Sequence, residues 1–286
     1  MNFTKMQAAG NDFVVVEAGK AQRHWPEIAK AMCERHFGIG ANGLLLVLPS
    51  VNADFQMRIF NPDGSEAEAC GNGLRCLVRY VVDKGLTKAR VPNMLVETMS
   101  GTRKINLYYD GSQITRIQVG MGEPELRAEK IPVLVEKRRG DLLDIKPILD
   151  YHVTIDGEDL PLSFVSMGNP HAVCFCPYPV SDFPLSRLGP KVEQHQIFPN
   201  RVNFEVARIA SREYIEARVW ERGAGETLAC GSGACAIAVA ARLHGYIDDK
   251  VTVRLPGGTL EVEWDGAGQV LLSGPTQIVF TGDWPE

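Results

Sequence analysis

The order of apolar and polar residues predicts short strands along most of the chain and a helix at two comparable places. Residues 55–60 (FQMRIF) and 214–219 (YIEARV) have the composition and alternation of strands. Each is followed by a loop rich in turn-forming residues and then by a cysteine, Cys70 or Cys230. Behind Cys70 the apolar residues follow the spacing of one helix face up to Lys84-Gly85, where we expect the helix to end. These residues are Leu74, Leu77, Val78 and Val81.

The stretch behind Cys230 is apolar on nearly all sides and ends at His244-Gly245. We therefore expect the second helix to be the more deeply buried of the two. Much of the remaining chain consists of β-branched runs separated by Gly and Asp turns, such as VTVRLPGGTLEVEW at 251–264. This pattern predicts an α+β fold in which a curved, mainly antiparallel sheet wraps a helix in each half. The charged, turn-rich residues 137–152 are expected to form a surface excursion.

The chain repeats itself at a nearly constant interval. Three landmarks recur in the same order, at intervals of 169 − 11 = 158, 203 − 42 = 161 and 230 − 70 = 160 residues. They pair Asn11 with Asn169, Asn42 with Asn203, and Cys70 with Cys230. Single Gly-Asn and Asn turns coincide by chance because such turns are common, but three similar intervals indicate a duplicated fold. We place the boundary between the halves near the GMGEPE segment at 120–125.

Length, composition and charge narrow the class of protein. The chain has 286 residues, 45% of them hydrophobic and 23% charged, which is typical of a soluble globular protein with about two domains. A net charge of −5 and the lack of a Lys/Arg stripe argue against nucleic acid as a ligand. Apolar runs are too short for a membrane helix, and the N-terminus lacks the features of a signal peptide. An odd number of cysteines, seven, is typical of reduced thiols in a cytoplasmic protein.

Cys70 and Cys230 each stand immediately before a glycine-rich helix start. A helix N-terminus leaves backbone N–H groups without intrahelical partners and carries partial positive charge, so a cysteine there gains thiolate character. The helix end contributes roughly 0.3–2 kcal/mol, which is about one pK unit and leaves neither thiol fully ionised. The glycines next to each cysteine allow an anionic group of a ligand to lie directly on the N–H groups.

This arrangement favours inversion of an α-carbon. If the two halves face each other, one carboxylate can be held by both helix ends with a sulfur on either side. Inversion requires a base on one face of the carbon and an acid on the other, and an ionised thiol with a protonated thiol supplies this pair. The backbone N–H groups would stabilise the enolate-like charge that develops on the carboxylate.

Other uses of the cysteines are less well supported. Zinc is disfavoured because the spacings from Cys70 to Cys76 and from Cys230 to Cys235 are wider than a zinc site requires. A redox pair of Cys70 and Cys230 stays open, although neither belongs to a C-x-x-C motif. A dinucleotide-binding loop is also disfavoured. The GIGANG segment at 38–43 fits the pattern of such a loop, but it precedes a strand instead of linking a strand to a helix, so dinucleotide binding is not expected.

The sequence resembles the diaminopimelate epimerase family over the whole chain. The resemblance is carried by FNPDGSEAEACGNGLRC, SMGNPHAV, RVWERGAGETLACGSGACA and GPTQIVFTGDW. It implies two pseudo-symmetric α+β domains with the active site in the cleft between them. The N-terminal domain would comprise residues 1–120, with 276–286 returning to it, and the C-terminal domain residues 121–275.

The resemblance also implies an activity. The expected enzyme is an isomerase that interconverts LL- and meso-2,6-diaminopimelate by a two-thiol mechanism, with no cofactor and no metal, in lysine and peptidoglycan-precursor biosynthesis. A cytoplasmic homodimer that binds neither nucleic acid nor membrane is expected.

Residue roles follow from the resemblance position by position. Cys70 and Cys230 correspond to the acid/base thiols, and His171 and Glu221 to groups that help set their proton state. The carboxylate-binding helix ends would be Gly71-Asn72 and Gly231-Ser232. The groups that hold the amino groups and the distal carboxylate of the substrate would be Asn11, Asn61, Asn169, Asn203, Glu221 and Arg222. Taken without the resemblance, the asparagines are ordinary turn residues and Glu221-Arg222 an ordinary surface pair.

The chain departs from the family pattern in two places, at Asn42, where Asp is usual, and at Gln7-Ala8-Ala9.

Two rival functions remain open. Another amino-acid racemase, of the proline racemase or hydroxyproline epimerase kind, would have the same architecture, whereas the phenazine-pathway isomerases lack the paired cysteines. A thiol redox or small-ligand-binding module would use a reversible bridge between Cys70 and Cys230.

Overall fold

The computed structural model describes residues 1–19, 23–67, 70–87, 90–135 and 147–285. They divide into two compact units: unit 1 comprises residues 1–120 and 273–286, and unit 2 comprises residues 121–272. Most of the excursion predicted over 137–152 lies outside the described residues. No helix in the described part of the chain is long and apolar enough to cross a membrane.

Unit 1 is a mixed sheet curved around one central helix. Its helices are α1 (Trp25–Cys33) and α2 (Gly71–Asp83). Its strands are β1 (Asn2–Ala8), β2 (Asn11–Glu17), β3 (Gly43–Leu48), β4 (Phe55–Phe60), β5 (Glu66–Ala67), β6 (Asn93–Thr98), β7 (Gly101–Asp110), β8 (Gln113–Gly120) and the last strand of the chain, β18 (Gln277–Asp283). They pair in the order β18-β1-β2-β3-β4-β6-β7-β8, with β5 on β4. The pairs β2/β3 and β4/β6 are parallel, and the rest are antiparallel.

Unit 2 repeats this plan. Its helices are the 3₁₀ turn Val180–Asp182, α3 (Leu185–Glu193) and α4 (Gly231–Leu243). Its strands are β9 (Tyr151–Ile155), β10 (Glu158–Ser166), β11 (Pro170–Phe175), β12 (Asn203–Ser211), β13 (Tyr214–Glu221), β14 (Gly225–Thr227), β15 (Lys250–Leu255) and β16 (Gly258–Glu263), with β17 (Leu271–Ser273) where the unit ends. The order β9-β10-β11-β12-β13-β15-β16, with parallel pairs β11/β12 and β13/β15, matches the order of unit 1 from β18 to β7. The predicted α+β class and duplicated architecture are confirmed.

The sheet of each unit is covered on both faces. In β3, Leu44 and Leu46 pack with the residues of α1, whereas the neighbouring Leu45 faces α2. In β12, Phe204 and Val206 pack with α3 in the same way. Because successive side chains of a strand point to opposite faces, a strand buried on both faces is apolar without alternation.

The two central helices form where the sequence predicts them. Helix α2 ends at Lys84 and Gly85, and α4 ends at His244 and Gly245, both glycines having a positive φ. The expected difference in burial is small, since ten residues are buried in each helix. The apolar stripe of α2 does not imply a solvent-exposed opposite face, because polar residues such as Asn72 and Arg75 are buried as well.

Candidate active site

Cys70 caps the N-terminus of α2 and brings together three of the predicted residues of unit 1. Its backbone is extended (φ −146°, ψ 115°), and its sulfur accepts a hydrogen bond from the Gly73 N–H at 3.4 Å. The Cys70 sulfur lies 3.7 Å from Asn11 Oδ1, and Asn72 Nδ2 donates to the same oxygen at 3.2 Å. Gly71 is the first residue of the helix. We call the residues around one cysteine within one unit a half-site.

Asn61 and the residues that depart from the family pattern have local partners. Asn61 lies directly after β4, where its backbone N–H and its Nδ2 bond to Ser65 at 2.8 and 2.9 Å. The structure therefore places Asn61 in a turn. The Asp12 N–H donates to Asn42 Oδ1, and the Asn42 N–H donates to Asp12 Oδ1, each at 3.1 Å. These two bonds tie the loop before β3 to β2. Gln7 Oε1 accepts from Gly10 N–H at 2.9 Å.

Cys230 caps α4 as Cys70 caps α2. Its sulfur accepts from the Gly233 N–H at 3.4 Å, and the Ser232 hydroxyl oxygen lies 3.4 Å away. Ser232 in turn accepts a hydrogen bond from Asn169 Nδ2 at 3.4 Å. The half-site of unit 2 thus joins Asn169, Cys230 and Ser232, with Gly231 as the first residue of the helix.

His171 is completely buried and reaches the sulfur of Cys230 only through other side chains. Its Nε2 lies 3.0 Å from Asn169 Oδ1, and its Nδ1 lies 2.7 Å from Glu205 Oε1. Within unit 2, hydrogen bonds connect His171 to the Cys230 sulfur through Asn169 and Ser232.

The protonation of Cys230 is governed by burial more than by the helix end. Burial raises the pKa of Cys230 well above its ordinary value, and the negative charges of Glu221 and Glu205 raise it further. The hydrogen bonds from Ser232 and Gly233 act in the opposite direction and are too weak to compensate. Cys230 is therefore a protonated thiol at neutral pH, the form that can donate a proton. The helix end alone predicts a lowered pKa for Cys230, and the burial that outweighs it is not visible in the sequence.

The turn between β13 and β14 carries Glu221 and Arg222. Thr227 Oγ1 donates to Glu221 Oε1 at 2.5 Å, and Arg222 Nη1 donates to the Asn200 carbonyl at 3.1 Å. Asn203 is buried, and its amide bonds to the Pro170 carbonyl and to the Arg222 N–H, both at 2.9 Å. In this structure Asn203 fixes the main chain of the turn.

Several buried charged residues around the half-sites were not predicted. Glu205 lies under α4, and Arg75 lies inside α2, where its guanidinium donates to Asn72 Oδ1 and the Gly71 carbonyl. Glu193, at the end of α3, accepts from the Trp220 indole. Glu205 could have been recognised in the sequence as a carboxylate at an inward-facing position of an otherwise apolar strand. Because a carboxylate is buried only when it has a partner, this position predicts a buried polar pair.

Three of the remaining thiols are buried and protonated. Burial raises the pKa of Cys33, Cys76 and Cys174 to about 12, so these thiols are not ionised at neutral pH. None of the seven cysteines, all of which lie in the described residues, forms a disulfide bond. In the described part of the chain, no group of three or more His, Cys, Asp or Glu side chains is placed to hold a metal ion.

The fold has been seen in solved structures over nearly the whole chain. The structure is similar to a hydroxyproline epimerase from Agrobacterium vitis (TM-score 0.71, 14% identity, covering 99% of this chain and 91% of that one). It is also similar to a phenazine biosynthesis protein of the PhzF family from Bacillus anthracis (TM-score 0.70, 17% identity, covering 99% and 98%). At these identities the likeness defines the fold alone.

Sequence comparison identifies the family. Residues 3–127 and 163–279 match the pattern of the family Diaminopimelate epimerase. The chain is 46% identical to a diaminopimelate epimerase of Acetivibrio thermocellus, over 99% of this chain and 98% of the relative. A diaminopimelate epimerase of Moorella thermoacetica is also 46% identical, over 100% and 99%. The chain belongs to the diaminopimelate epimerase family, and the resemblance seen in the sequence is confirmed.

Proposed function

We propose that this protein interconverts LL- and meso-2,6-diaminopimelate with Cys70 and Cys230 as the two acid/base groups. The observation that carries the proposal is the equivalence of the two cysteines. Each caps the central helix of its unit, each sulfur accepts the N–H of the third residue beyond it, and each has an asparagine near it, Asn11 or Asn169. Membership of the diaminopimelate epimerase family supports the choice of substrate.

The proposed reaction conserves protons and needs no cofactor. One thiolate removes the α-proton of the substrate and becomes a thiol, while the other thiol delivers its proton to the opposite face and becomes a thiolate. This chemistry requires both sulfurs to reach the same α-carbon. The protonated state of Cys230 fits the role of donor in the first turnover.

The remaining roles concern recognition. The backbone N–H groups at the starts of α2 and α4, at Gly71-Asn72 and Gly231-Ser232, would hold the reacting carboxylate and stabilise the charge that develops on it. Arg222 would pair with the distal carboxylate, and Glu221 with an ammonium group. We further propose a cytoplasmic homodimer that acts in lysine and peptidoglycan-precursor biosynthesis; light scattering of the purified protein tests the dimer.

Proton NMR tests the activity directly. Reduced protein without added cofactor is mixed with LL-diaminopimelate in heavy water, and the α-proton signal and the meso isomer are followed. Loss of the α-proton together with formation of the meso isomer is the expected result. Cys70→Ala and Cys230→Ala should each abolish inversion, because each removes one of the two proton carriers. Near-normal epimerisation by either variant would exclude the two-thiol mechanism, and faster turnover of proline analogues would exclude the substrate.

A further inference from the structure

Glu205 and His171 form a buried ionisable pair next to the Cys230 half-site. Both side chains are fully buried, and Glu205 Oε1 lies 2.7 Å from His171 Nδ1. The second carboxylate oxygen, Oε2, is buried and has no hydrogen-bond partner among the described residues. Burial raises the pKa of Glu205, and the neighbouring His171 lowers it. A pair with one unsatisfied oxygen is costly to bury, so its presence calls for an explanation.

The repeat shows that the fold does not need a carboxylate at this place. Glu205 pairs with Val219 across β12 and β13, and Leu45 pairs with Ile59 across β3 and β4. A Cβ added to Gly233 would lie 2.9 Å from Glu205 Oε1, whereas one added to Gly73 would lie 3.4 Å from Leu45 Cδ1. Leu45 therefore occupies in unit 1 the position that Glu205 occupies in unit 2, under the first turn of the central helix.

The partner of the pair is also replaced in unit 1. Phe13 pairs with Gly43, the first residue of β3, as His171 pairs with Asn203, the first residue of β12. Asn203 therefore corresponds to Gly43, one residue beyond the Asn42 that the sequence repeat predicted. Phe13 and Leu45 are both buried, with 2% and 0% of their surfaces exposed. Since an apolar pair of similar volume is often at least as stable as a buried ionic pair, unit 2 retains Glu205 and His171 for a reason other than stability.

The hydrogen-bond partners of the pair determine which atoms donate and which accept along the path to Cys230. His171 faces an oxygen on each side, Glu205 Oε1 and Asn169 Oδ1. The amide oxygen can only accept, so His171 Nε2 carries a proton and donates it to Asn169. The second proton lies between Nδ1 and Glu205. With its oxygen engaged, Asn169 turns its Nδ2 to the Ser232 oxygen, and the Ser232 hydroxyl proton is left to point at the Cys230 sulfur.

We propose that Glu205 is a positioning residue that, through His171 and Asn169, directs the Ser232 hydroxyl as a donor to the Cys230 sulfur. The inference rests on the proposed function in one respect: the donor would stabilise the thiolate that Cys230 becomes after it has protonated the substrate. Glu205→Gln removes the charge that lets the pair hold two protons. Neutral His171 then has one proton for its two nitrogens, and the glutamine oxygen competes with Asn169 Oδ1 for it. Where Nδ1 keeps the proton, the Asn169 amide rotates, and Ser232 donates to Asn169 Oδ1 instead of the Cys230 sulfur.

A spectroscopic measurement on the protein without substrate tests the direction of these hydrogen bonds. Ring ¹⁵N shifts of His171 in the full-length protein, assigned with a His171→Asn control, should show a protonated Nε2 in the wild type. In Glu205→Gln, the ring should carry one proton instead of two. An unprotonated Nε2 in the wild type, or a spectrum unchanged by Glu205→Gln, would overturn the proposal.

A kinetic cycle tests the consequence. Glu205→Gln should lower kcat about 100-fold with little change in KM, because the effect falls on proton transfer and not on binding. Ser232→Ala should cause a similar loss, and the double variant no further loss, because both changes remove the same donor. Asp159→Asn, which breaks the exposed His152–Asp159 contact of the same unit (2.7 Å), is the matched control and should retain wild-type turnover. Multiplicative losses in the double variant would refute the shared pathway.

The equivalent residues of unit 1 suggest a second variant, which tests the inference independently of Glu205→Gln. His171→Phe combined with Glu205→Leu installs the Phe13 and Leu45 pair, so the protein should fold with no loss of stability and should lose turnover at least about 100-fold. A folded protein with wild-type turnover would refute the inference. Wild-type protein without activity would instead refute the proposed function, while the ¹⁵N measurement would still decide the role of Glu205.

Discussion

Glu193 offers a quantitative test of how the turn that carries Glu221 and Arg222 is held. Glu193 is buried at the end of α3; its Oε2 accepts from Trp220 Nε1 at 2.8 Å, and its Oε1 accepts from Gly223 N–H at 2.9 Å. Arg201 adds a longer contact of 3.4 Å from an exposed guanidinium. One carboxylate thus connects α3 to the end of β13 and to the turn that follows it.

The expected cost follows from these bonds. Glu193→Ala leaves two donors without an acceptor, and each costs about 1–3 kcal/mol, so the free energy of unfolding should fall by about 2–6 kcal/mol. Glu193→Gln keeps the volume and one acceptor oxygen and should cost about 1–2 kcal/mol. The exposed contact adds little, so the control Arg201→Ala should cost less than about 1 kcal/mol.

Urea unfolding monitored by tryptophan fluorescence measures the three values, and steady-state kinetics measure KM. We expect the KM for diaminopimelate to rise about tenfold in Glu193→Ala, because the loosened turn no longer presents Arg222 in one position. Equal destabilisation by Glu193→Gln and Glu193→Ala would show that the charge, and not the number of acceptors, matters. An Arg201→Ala variant as unstable as Glu193→Ala would refute the assignment of the buried bonds.

Three further predictions concern recognition, pH and packing. Arg222→Lys should raise KM about tenfold with a smaller change in kcat, because an ammonium group cannot form the paired bonds of a guanidinium; unchanged KM would remove Arg222 from recognition. The pKa of buried Cys76 is raised from 9.0 to about 12, so its contribution to stability is complete below pH about 9 and is lost at about 1.4 kcal/mol per pH unit as the pH rises towards 12. Urea unfolding at pH 8 and 10.5 should show a smaller decline in Cys76→Ala than in the wild type. Gly73→Ala places a Cβ 2.7 Å from Ile59 Cδ1 and should cost about 1–3 kcal/mol in thermal unfolding, and the added change Ile59→Val, which removes that carbon, should recover part of the cost.

The central helices and the repeat could be predicted because their signals are local. A cysteine followed by glycines marks each helix start, and Gly85 and Gly245 mark the ends. Helix α3 gives no such signal, since Gly189 and Pro190 suggest a loop. Gly189 is needed because a Cβ there would lie 2.6 Å from Trp220, which is distant in sequence. Helix α3 is therefore not evident from the sequence.

The same distinction applies to the site. Cys70 and Cys230 are recognisable because the motif around each is continuous in the sequence. The link from Cys230 to Glu205 passes through side chains of three different elements, and no spacing along the chain encodes it. The burial that keeps Cys230 protonated likewise arises from tertiary packing.

The pairing of the last strand with the first has a consequence for protein synthesis. Strand β1 lies between β2 and β18, and the N-terminal amine donates to the Trp284 carbonyl at 2.6 Å. On the ribosome, all strands of unit 2 emerge before β18, so the half made second can complete its sheet before the half made first. Until then β1 presents an open strand edge, which is prone to wrong pairing. Stalled or truncated chains that end before residue 277 should therefore be the main targets of chaperones and proteases.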